Sequence, residues 1–274
     1  MRIPVSKYHG CGNDFIMTRY DLVKDLDLED FIVKVCDRHT GIGADGAIFI
    51  KENPLTMMYY NQDGSRAPMC GNGIRCFAKF CLDEDICNKE SFDVETLAGT
   101  KTITRLQKEP FLVRVAMGQA DYDPHKIGVK ENVSMMKYPL RLADDTTVQI
   151  YSFFMSTVHT VLFVDHAFSP ENEALGKEIC HHPMFTEQTN VNFVEIVDHT
   201  HIRVQTYERG CGMTLACGTG VCASALMAYK EFGCDSHLSV ELVKGTLSID
   251  IDQNDAVYMS GPAQRIMKGE FQYD

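Results

Sequence analysis

One short phrase occurs twice in this sequence, first as Met69-Cys70-Gly71-Asn72-Gly73-Ile74-Arg75-Cys76 and again as Ala216-Cys217-Gly218-Thr219-Gly220-Val221-Cys222-Ala223. With Cys70 aligned on Cys217, both copies read Cys-Gly-(Asn/Thr)-Gly-(Ile/Val), and the two positions are 147 residues apart in a chain of 274. A repeat at about half the chain length predicts two related halves. Helix-compatible sequence follows each copy, over 74–82 and 221–232, so each cysteine is expected just ahead of a helix N-terminus.

The expected position of these cysteines suits acid–base chemistry. The first turn of a helix presents backbone N–H groups and the positive end of the helix dipole, which bind a carboxylate and stabilise a thiolate. Flanking glycines allow a ligand to approach the backbone closely. Two such helix ends would hold one carboxylate and place a thiol on either side of it. The alternative is a glycine-rich turn with a buried, inert cysteine, and the presence of two copies argues against it.

Three further stretches accompany the repeated phrase: His9-Gly10-Cys11-Gly12-Asn13-Asp14-Phe15, Asn61-Gln62-Asp63-Gly64-Ser65, and Tyr207-Glu208-Arg209-Gly210. Together with the two cysteine phrases, these stretches resemble the diaminopimelate epimerases, a family of amino-acid epimerases that need no pyridoxal phosphate. The resemblance runs from near residue 3 to near residue 270. It implies two pseudo-symmetric domains, each a strand-rich, barrel-like sheet around a central helix, with the active site in the cleft between them.

The pattern of elements predicts an α+β fold. Short strand-like runs dominate, and the order strand, strand, cysteine-led helix, strand, strand recurs in both halves. The polar segment 118–139 carries Pro124 and Gly128 and is interpreted as the crossover between the halves. The resemblance implies that the C-terminal tail returns to the first half. We therefore expect an N-terminal half of 1–117 plus 262–274 and a C-terminal half of 118–261.

Two other helices are predicted from their start signals. Apolar residues at helical spacing indicate a core-facing helix over 28–37, with Asp27 as its N-cap. Ser169, followed by Pro170, is expected to cap a second helix that ends near His181. The glycines of 41–46 superficially resemble a dinucleotide fingerprint, but they precede a strand and do not follow one, so we reject that interpretation.

Composition narrows the class of protein. The formal net charge of −12 argues against a nucleic-acid partner. Neither a signal peptide nor an apolar run of membrane-spanning length is apparent, so no membrane association is expected. Eleven cysteines, an odd number, fit reduced thiols in the cytoplasm better than a disulfide framework. We expect a small-molecule amino-acid substrate and leave both a monomer and a homodimer open.

The two repeated cysteines are the expected catalytic residues. The α-hydrogen of an amino acid is weakly acidic, so its removal needs a base in contact and stabilisation of the charge that develops on the carboxylate. In the interpretation we favour, one of Cys70 and Cys217 takes the proton as thiolate while the other donates from the opposite face. Backbone N–H groups at Gly71-Asn72 and Gly218-Thr219 would hold the carboxylate.

The resemblance also implies roles for residues outside the repeated phrase. These are Asn13 at the substrate, Asn61 and Asn190 as ligands of its non-reacting end, Glu208 near its amino group, Arg209 on its far carboxylate, and His159 tuning the thiol pKa values jointly with Glu208. Without the resemblance, each has an ordinary structural interpretation: a turn asparagine, a surface pair of charges, a satisfied histidine on a strand.

Three positions depart from the family pattern. Thr157 stands where an asparagine ligand of the distal amino-acid group is expected, and Met213 stands where an acidic residue is usual. Gly46 occupies a position at which some members carry a substrate-contacting glutamine. These departures do not change the predicted reaction, but they leave the identity of the substrate open. We expect interconversion of LL- and meso-diaminopimelate, a step of lysine biosynthesis, with racemisation of another amino acid such as histidine as the alternative.

The cysteines and histidines also allow other classes of protein. The spacing of Cys70, Cys76, Cys81 and Cys87 lends some support to a non-catalytic thiol or redox protein. Cys76, and Cys222 in the second half, are interpreted as helix packing residues. No metal site is expected, because Cys-x-x-Cys spacing is absent and the adjacent His181-His182 side chains point to different faces. An isomerase of the same fold with a non-amino-acid substrate is disfavoured by the cysteine pair. We expect no cofactor.

Overall fold

The structure is a computed structural model that describes residues 1–130 and 133–274. The part of the expected crossover formed by residues 131 and 132 lies outside the described residues. The chain divides into two compact units, Met1–Ala116 with Ser260–Asp274 and Met117–Met259.

The chain is rich in strands. The strands are β1 (Arg2–Gly10), β2 (Asn13–Arg19), β3 (Gly46–Lys51), β4 (Thr56–Asn61), β5 (Arg66–Ala67), β6 (Ser91–Val94), β7 (Lys101–Gln107), β8 (Leu112–Gly118), β9 (Tyr138–Arg141), β10 (Thr147–Phe154), β11 (Val158–Phe163), β12 (Asn190–Asp198), β13 (His201–Glu208), β14 (Gly212–Thr214), β15 (His237–Leu242), β16 (Gly245–Ile251), β17 (Val257–Pro262) and β18 (Gln264–Gln272). The helices are α1 (Leu28–Cys36), α2 (Gly71–Asp83), α3 (Pro124–Ile127), α4 (Asn172–Cys180) and α5 (Gly218–Phe232), with a 3₁₀ helix at Tyr20–Leu22.

The first unit contains a sheet with the strand order β18-β1-β2-β3-β4-β5. Strands β2 and β3 are parallel and the other neighbours antiparallel. Because β1 pairs with β18 from Arg2↔Gln272 onward, the C-terminal tail is part of this unit. Strand β7 pairs antiparallel with both β6 and β8 in the same unit.

Helices cover both faces of this sheet. Ile3 and Phe49 lie in one hydrophobic cluster with Phe31 of α1. On the other face, the Tyr8 ring packs edge-on against Phe80 of α2, with ring centroids 5.9 Å apart. Burial on both faces explains why β3 reads as a continuous apolar run instead of an alternating one.

The second unit has the strand order β17-β16-β15-β13-β12-β11-β10-β9, with β14 paired to β13. The pairs β11–β12 and β13–β15 are parallel. Each parallel pair is joined through a helix, α4 in the first case and α5 in the second. The second unit therefore combines β-hairpins with two crossover connections that each contain a helix.

The two helices that follow the repeated cysteines are buried on nearly all sides. Helix α2 contacts β1, β2, β3, β4 and β18, and helix α5 contacts β11, β12, β13, β15 and β16. Both begin at the glycine directly after the cysteine, three residues earlier than the helix-compatible sequence indicated. The predicted strand-rich α+β class, with a buried helix in each unit, is confirmed.

The other helix starts test the capping signals. The Asp27 side chain accepts a hydrogen bond from the Asp30 backbone N–H, so the predicted cap of α1 is confirmed. The predicted cap of α4 is wrong, because the helix begins at Asn172. Ser169 instead opens a turn in which the Asn172 N–H donates to its carbonyl oxygen. The Asn172 side chain also donates to the carbonyl oxygens of His166 and Ala167, which ties it to the preceding loop.

The expected crossover contains a short helix. The N-cap of α3 is Asp123, whose side chain accepts from the His125 N–H, and Pro124 follows as the first helical residue. The helix is closed by Gly128, which takes the left-handed conformation with φ 72°. Pro124 and Gly128, by which the segment was interpreted as a crossover, thus mark the start and the end of this helix.

Arg75 of α2 provides a test of how the interior of the first unit is stabilised. It is completely buried, and its side chain donates to the carbonyl oxygens of Pro262 at 3.1 Å and Gly71 at 3.1 Å. We expect Arg75→Met to lower the free energy of unfolding by about 2 kcal/mol, because the half-buried Pro262 carbonyl loses its donor. Urea denaturation followed by circular dichroism measures this.

Arg2→Met is the matched control for this substitution. The Arg2 side chain is 76% exposed and pairs with Glu270 only at 3.9 Å, so its loss should change stability by less than about 0.5 kcal/mol. Equal losses in the two variants would contradict the structural role of Arg75.

Candidate active site

Cys70 caps the N-terminus of α2 with its own sulfur. Its backbone is extended, with φ −131° and ψ 125°, and its Sγ accepts a hydrogen bond from the Gly73 N–H at 3.4 Å. An N–H donor and the positive end of a helix dipole both favour the thiolate form of a cysteine. The half-buried Cys70 side chain therefore has the surroundings expected of a reactive thiol.

Asn13 faces this thiol. Its Oδ1 lies 3.6 Å from Cys70 Sγ and accepts from the Asn72 side-chain amide at 3.1 Å. The Asn13 Nδ2 donates to an Asp45 carboxylate oxygen at 2.7 Å, which fixes the direction of the amide. The structure thus brings together the predicted residues Asn13, Cys70 and Asn72, and adds Asp45.

Asp45 belongs to a charged cluster that the sequence did not reveal. Arg38 donates to Asp14 at 2.9 Å and to Asp45 at 2.7 Å, and Lys7 lies 2.9 Å from Asp14. Burial opposes ionisation of Asp14, but hydrogen bonds from Arg38 and Lys7 outweigh it and hold the pKa of that carboxyl below its usual range. The cluster anchors the start of β2, where Asn13 lies.

Cys217 caps α5 in the second unit. Its backbone is also extended, with φ −116° and ψ 105°, and its side chain is buried. The Cys217 Sγ lies 3.5 Å from the Thr219 hydroxyl oxygen. As in α2, the first-turn N–H groups, here those of Gly218 and Thr219, are the ones that a helix leaves available to an anion.

His159 reaches Cys217 through Thr219. Its Nε2 lies 2.9 Å from Thr219 Oγ1, and its Nδ1 lies 3.2 Å from the Asn192 side-chain nitrogen. Burial, and to a lesser degree the charge of Arg209, lowers the pKa of His159 to about 3. His159 is therefore a neutral hydrogen-bonding group at pH 7.

The second strand asparagine, Asn192, was missed. The sequence does carry a signal, since Asn190 and Asn192 lie two residues apart on β12 and share one face of an otherwise apolar strand. Buried amides at such positions need partners, and a pair of them indicates a polar network inside the unit.

Asn190 and Arg209 lie together at the edge of β12 and β13. The Asn190 Nδ2 donates to the Val158 carbonyl oxygen at 3.0 Å, and its Oδ1 accepts from the Arg209 N–H at 2.9 Å. One guanidinium nitrogen of Arg209 donates to the Glu187 carbonyl oxygen at 2.8 Å, while the residue is exposed. Glu208 accepts from the Thr214 hydroxyl at 2.6 Å, so the adjacent charges Glu208 and Arg209 have separate partners.

Asn61 and Gly46 are directly opposite one another on β4 and β3. The Asn61 amide accepts from the Tyr59 hydroxyl at 2.9 Å and donates to the Ser65 hydroxyl at 3.0 Å. A Cβ atom at Gly46 would lie 2.4 Å from the Tyr60 carbonyl oxygen. Glycine at this position is thus required by the close packing of β3 on β4 in this chain.

The other two departures from the family pattern lie in the second unit. Thr157 is in the turn between β10 and β11, after Ser156 at φ 63°. Met213 packs against the hydrophobic cluster of the unit. An apolar side chain at 213 therefore has a packing role that an acidic residue would not fill.

The remaining cysteines are mainly packing residues. Cys76 and Cys81 on α2 and Cys222 on α5 are completely buried. Burial raises the pKa of the Cys76 and Cys81 thiols far above the usual range. The prediction that Cys76 and Cys222 pack inside their helices is confirmed, and buried, protonated thiols are poor redox sensors.

His181 and His182 have partners of their own. His181 Nδ1 lies 2.8 Å from the Lys177 carbonyl oxygen, and His182 Nδ1 accepts from the Met184 N–H at 3.2 Å. Across residues 1–130 and 133–274, no three or more His, Cys, Asp or Glu side chains group in a way that could hold a metal ion. Within the same residues, no helix has both the length and the apolarity to cross a membrane.

Solved structures define the class of fold. A PhzF-family phenazine biosynthesis protein from Bacillus anthracis superposes with a TM-score of 0.69 at 16% identity, covering 100% of both chains. A probable proline racemase from Agrobacterium radiobacter superposes with a TM-score of 0.72 at 13% identity, over 99% of this chain and 93% of the other. At these identities the likeness shows the shared fold alone.

Sequence comparison identifies the family within that fold. The family model described as diaminopimelate epimerase matches residues 5–122 and 152–266. A diaminopimelate epimerase from Alkaliphilus metalliredigens is 40% identical over 99% of this chain and 98% of its own length. One from Microcystis aeruginosa is 40% identical over 98% of this chain and 99% of its own. The chain belongs to the diaminopimelate epimerase family.

The buried, neutral His159 makes stability depend on pH. The pKa of His159 is about 3 in the folded state against an ordinary value of 6.5. The unfolded chain therefore binds more protons between these values, and the stability present above pH 6.5 is lost as the pH falls. We expect the wild type to lose stability relative to His159→Gln by about 1.4 kcal/mol per pH unit below about pH 6.

Urea denaturation of both proteins at about pH 7.5, 6 and 5 measures the slope. Parallel curves for the wild type and His159→Gln would contradict a buried, neutral imidazole at this position.

Proposed function

We propose that this protein interconverts LL- and meso-diaminopimelate by proton exchange at the α-carbon, with no cofactor. Within its family it is an isomerase, and the relatives that match it over nearly their whole length carry that activity in their names. The observation that carries the proposal is local. In each unit a cysteine caps a buried helix, so each unit supplies one acid–base thiol at an anion-binding helix end.

The chemistry uses each thiol once per turnover. A thiolate, from Cys70 or Cys217 according to direction, takes the α-proton and becomes a thiol. The electron pair left on the carbon is delocalised into the carboxylate, which becomes enediolate-like. The thiol of the other cysteine then donates its proton to the opposite face of the carbon and becomes a thiolate. Protons balance and the configuration at the α-carbon inverts. The two cysteines have then exchanged their protonation states, which is the arrangement needed to convert a substrate of the opposite configuration.

Stabilisation of the enediolate is assigned to the helix ends. Gly71 and Asn72 begin α2, and Gly218 and Thr219 begin α5. Their N–H groups are oriented before the reaction, so they stabilise the charge that develops on the carboxylate without further reorganisation.

The far end of the substrate is assigned to the residues around the exposed Arg209. The planar guanidinium suits a carboxylate, and its anchoring to the Glu187 carbonyl limits its motion. Asn61 and Asn190 are proposed as further ligands of that end, and Glu208 as the partner of the substrate amino group. Thr157 is shorter than the usual asparagine and lacks its amide. For that reason racemisation of another amino acid, histidine among them, is kept as the alternative.

The setting of the reaction follows from its chemistry. Acid–base exchange needs both cysteines reduced, so we propose a cytoplasmic location. The substrate is a small zwitterion, and the net charge of −12 gives no basic field for nucleic acid. Light scattering on the eluting protein distinguishes the monomer from the homodimer, both of which the sequence leaves open.

The decisive test is α-proton exchange in deuterated water, followed by NMR. We expect exchange with LL- and meso-diaminopimelate, and a loss of at least about a hundredfold in both Cys70→Ala and Cys217→Ala. Cys76→Ala and Cys222→Ala are the matched controls, because each removes a buried thiol from the same helix. They should keep exchange within about fivefold of wild type.

The same exchange measurement with L-histidine, L-lysine and L-glutamate tests whether another amino acid is the substrate. Exchange with one of these and not with diaminopimelate would assign the two thiols to a different racemase. Interconversion of LL- and meso-diaminopimelate that survives either cysteine substitution would overturn the two-thiol mechanism itself.

A further inference from the structure

Asn192 lies at the centre of a buried hydrogen-bond network in the second unit. The side chain is completely buried on β12. Its Nδ2 lies 3.1 Å from the Thr160 carbonyl oxygen and 3.2 Å from His159 Nδ1, and its Oδ1 accepts from the Thr206 hydroxyl at 2.9 Å. Each amide atom therefore has a defined neighbour.

The direction of these hydrogen bonds is fixed by the backbone. The Thr160 carbonyl oxygen can only accept, so the atom facing it must be the amide nitrogen. The second hydrogen of that nitrogen points to His159 Nδ1, which must then be the unprotonated ring atom. A neutral imidazole with Nδ1 unprotonated carries its hydrogen on Nε2.

This tautomer fixes the direction in which the Thr219 hydroxyl donates its hydrogen. The His159 Nε2–H donates to Thr219 Oγ1 over 2.9 Å. An oxygen that accepts from the imidazole keeps its own hydrogen for another acceptor, and Cys217 Sγ lies 3.5 Å away. A hydroxyl that donates to sulfur favours the thiolate over the thiol.

Packing holds the amide in place. A Cβ atom at Gly220 would lie 2.2 Å from Asn192 Oδ1 and 3.0 Å from the Thr206 hydroxyl oxygen. Only glycine lets the first turn of α5 approach the Asn192 amide this closely. Gly220, the residue directly after Thr219, thus brings the helix end and the amide into one rigid group.

We propose that Asn192 is a positioning residue that holds His159 in the Nε2–H tautomer, so that the Thr219 hydroxyl donates to Cys217 and stabilises its thiolate. The catalytic meaning of this arrangement rests on the proposed function, but the arrangement itself does not. Cys70 has a different environment, in which its sulfur faces the Asn13 amide oxygen and accepts from the Gly73 N–H.

Asn192→Asp is the test, with Thr206→Val as its matched control. An aspartate carboxylate cannot donate to His159 Nδ1 and instead accepts from it, which moves the hydrogen to Nδ1. The Thr219 hydroxyl would then donate to Nε2 and turn its lone pairs toward Cys217. Thr206→Val removes a hydroxyl from the same buried network but leaves both donor bonds of the Asn192 nitrogen.

Two readouts are made on the full-length protein without substrate, at about pH 8 so that the imidazole is neutral. Imidazole ¹⁵N NMR, assigned with His159→Gln, should show the Nε2–H tautomer in wild type and Thr206→Val and a protonated Nδ1 in Asn192→Asp. Iodoacetamide labelling with mass spectrometry should show Cys217 alkylated about tenfold more slowly in Asn192→Asp, with Cys70 changed less than about twofold.

An independent pair of variants covers a failure of Asn192→Asp to fold. Thr219→Val should slow alkylation of Cys217 by about tenfold, and Thr219→Ser, which keeps the hydroxyl, should restore it. The proposal is overturned if Asn192→Asp keeps the Nε2–H tautomer, if Cys217 labelling is unchanged by it, or if Thr206→Val slows labelling equally. Failure of α-proton exchange in wild type with these labelling results intact would overturn only the proposed function.

Discussion

The structure depends on one local arrangement, a cysteine as the N-cap of a buried helix. Cys70 and Cys217 have extended backbone while the next residue is already helical. The Cys70 sulfur accepts from the first-turn Gly73 N–H, and the Cys217 sulfur lies beside the first-turn Thr219 hydroxyl. The helix must be buried for that end to lie inside a protein interior, and the surrounding strands accomplish this in both units. Fold and chemistry are thus coupled, because the same helix end that completes the core also carries the charge that the reaction needs.

The two thiols share this position but differ in what faces the sulfur. Cys70 receives the Gly73 N–H and faces the amide oxygen of Asn13. Cys217 faces the hydroxyl of Thr219, which is itself held by a neutral histidine. In the proposed reaction the two thiols exchange the roles of base and acid with the direction of turnover. Sequence symmetry between the halves coexists with different surroundings of the two sulfurs, which come from Thr219 within the repeated phrase and from Asn13 and His159 outside it.

The sequence predicted what is periodic or repeated and missed what depends on long-range pairing. The α+β class, the two cysteine-led helices and the cap of α1 at Asp27 follow from local signals, and the structure confirms them. The start of α4 was wrong because Ser169 is a good cap in isolation, whereas in the structure it opens a turn and the Asn172 side chain is bonded to the loop before the helix. Asp45 was missed because it contacts Asn13 across 32 residues of sequence and no local pattern marks it, whereas the spacing of Asn190 and Asn192 did carry a signal.

The proposed reaction and the proposed substrate contacts depend on different parts of the chain. The helix ends tolerate little change, since a Cβ at Gly220 would clash with a buried amide and one at Gly73 would lie 2.9 Å from Ile48. The departures from the family pattern fall outside α2 and α5, on β3 at Gly46, in the turn at Thr157 and on the short strand that carries Met213. Two of these positions have packing constraints of their own, because Gly46 lies close against β4 and Met213 packs against the hydrophobic cluster of its unit. The departures therefore alter the part of the chain proposed to contact the far end of the substrate, while both cysteine-led helix starts keep the repeated phrase.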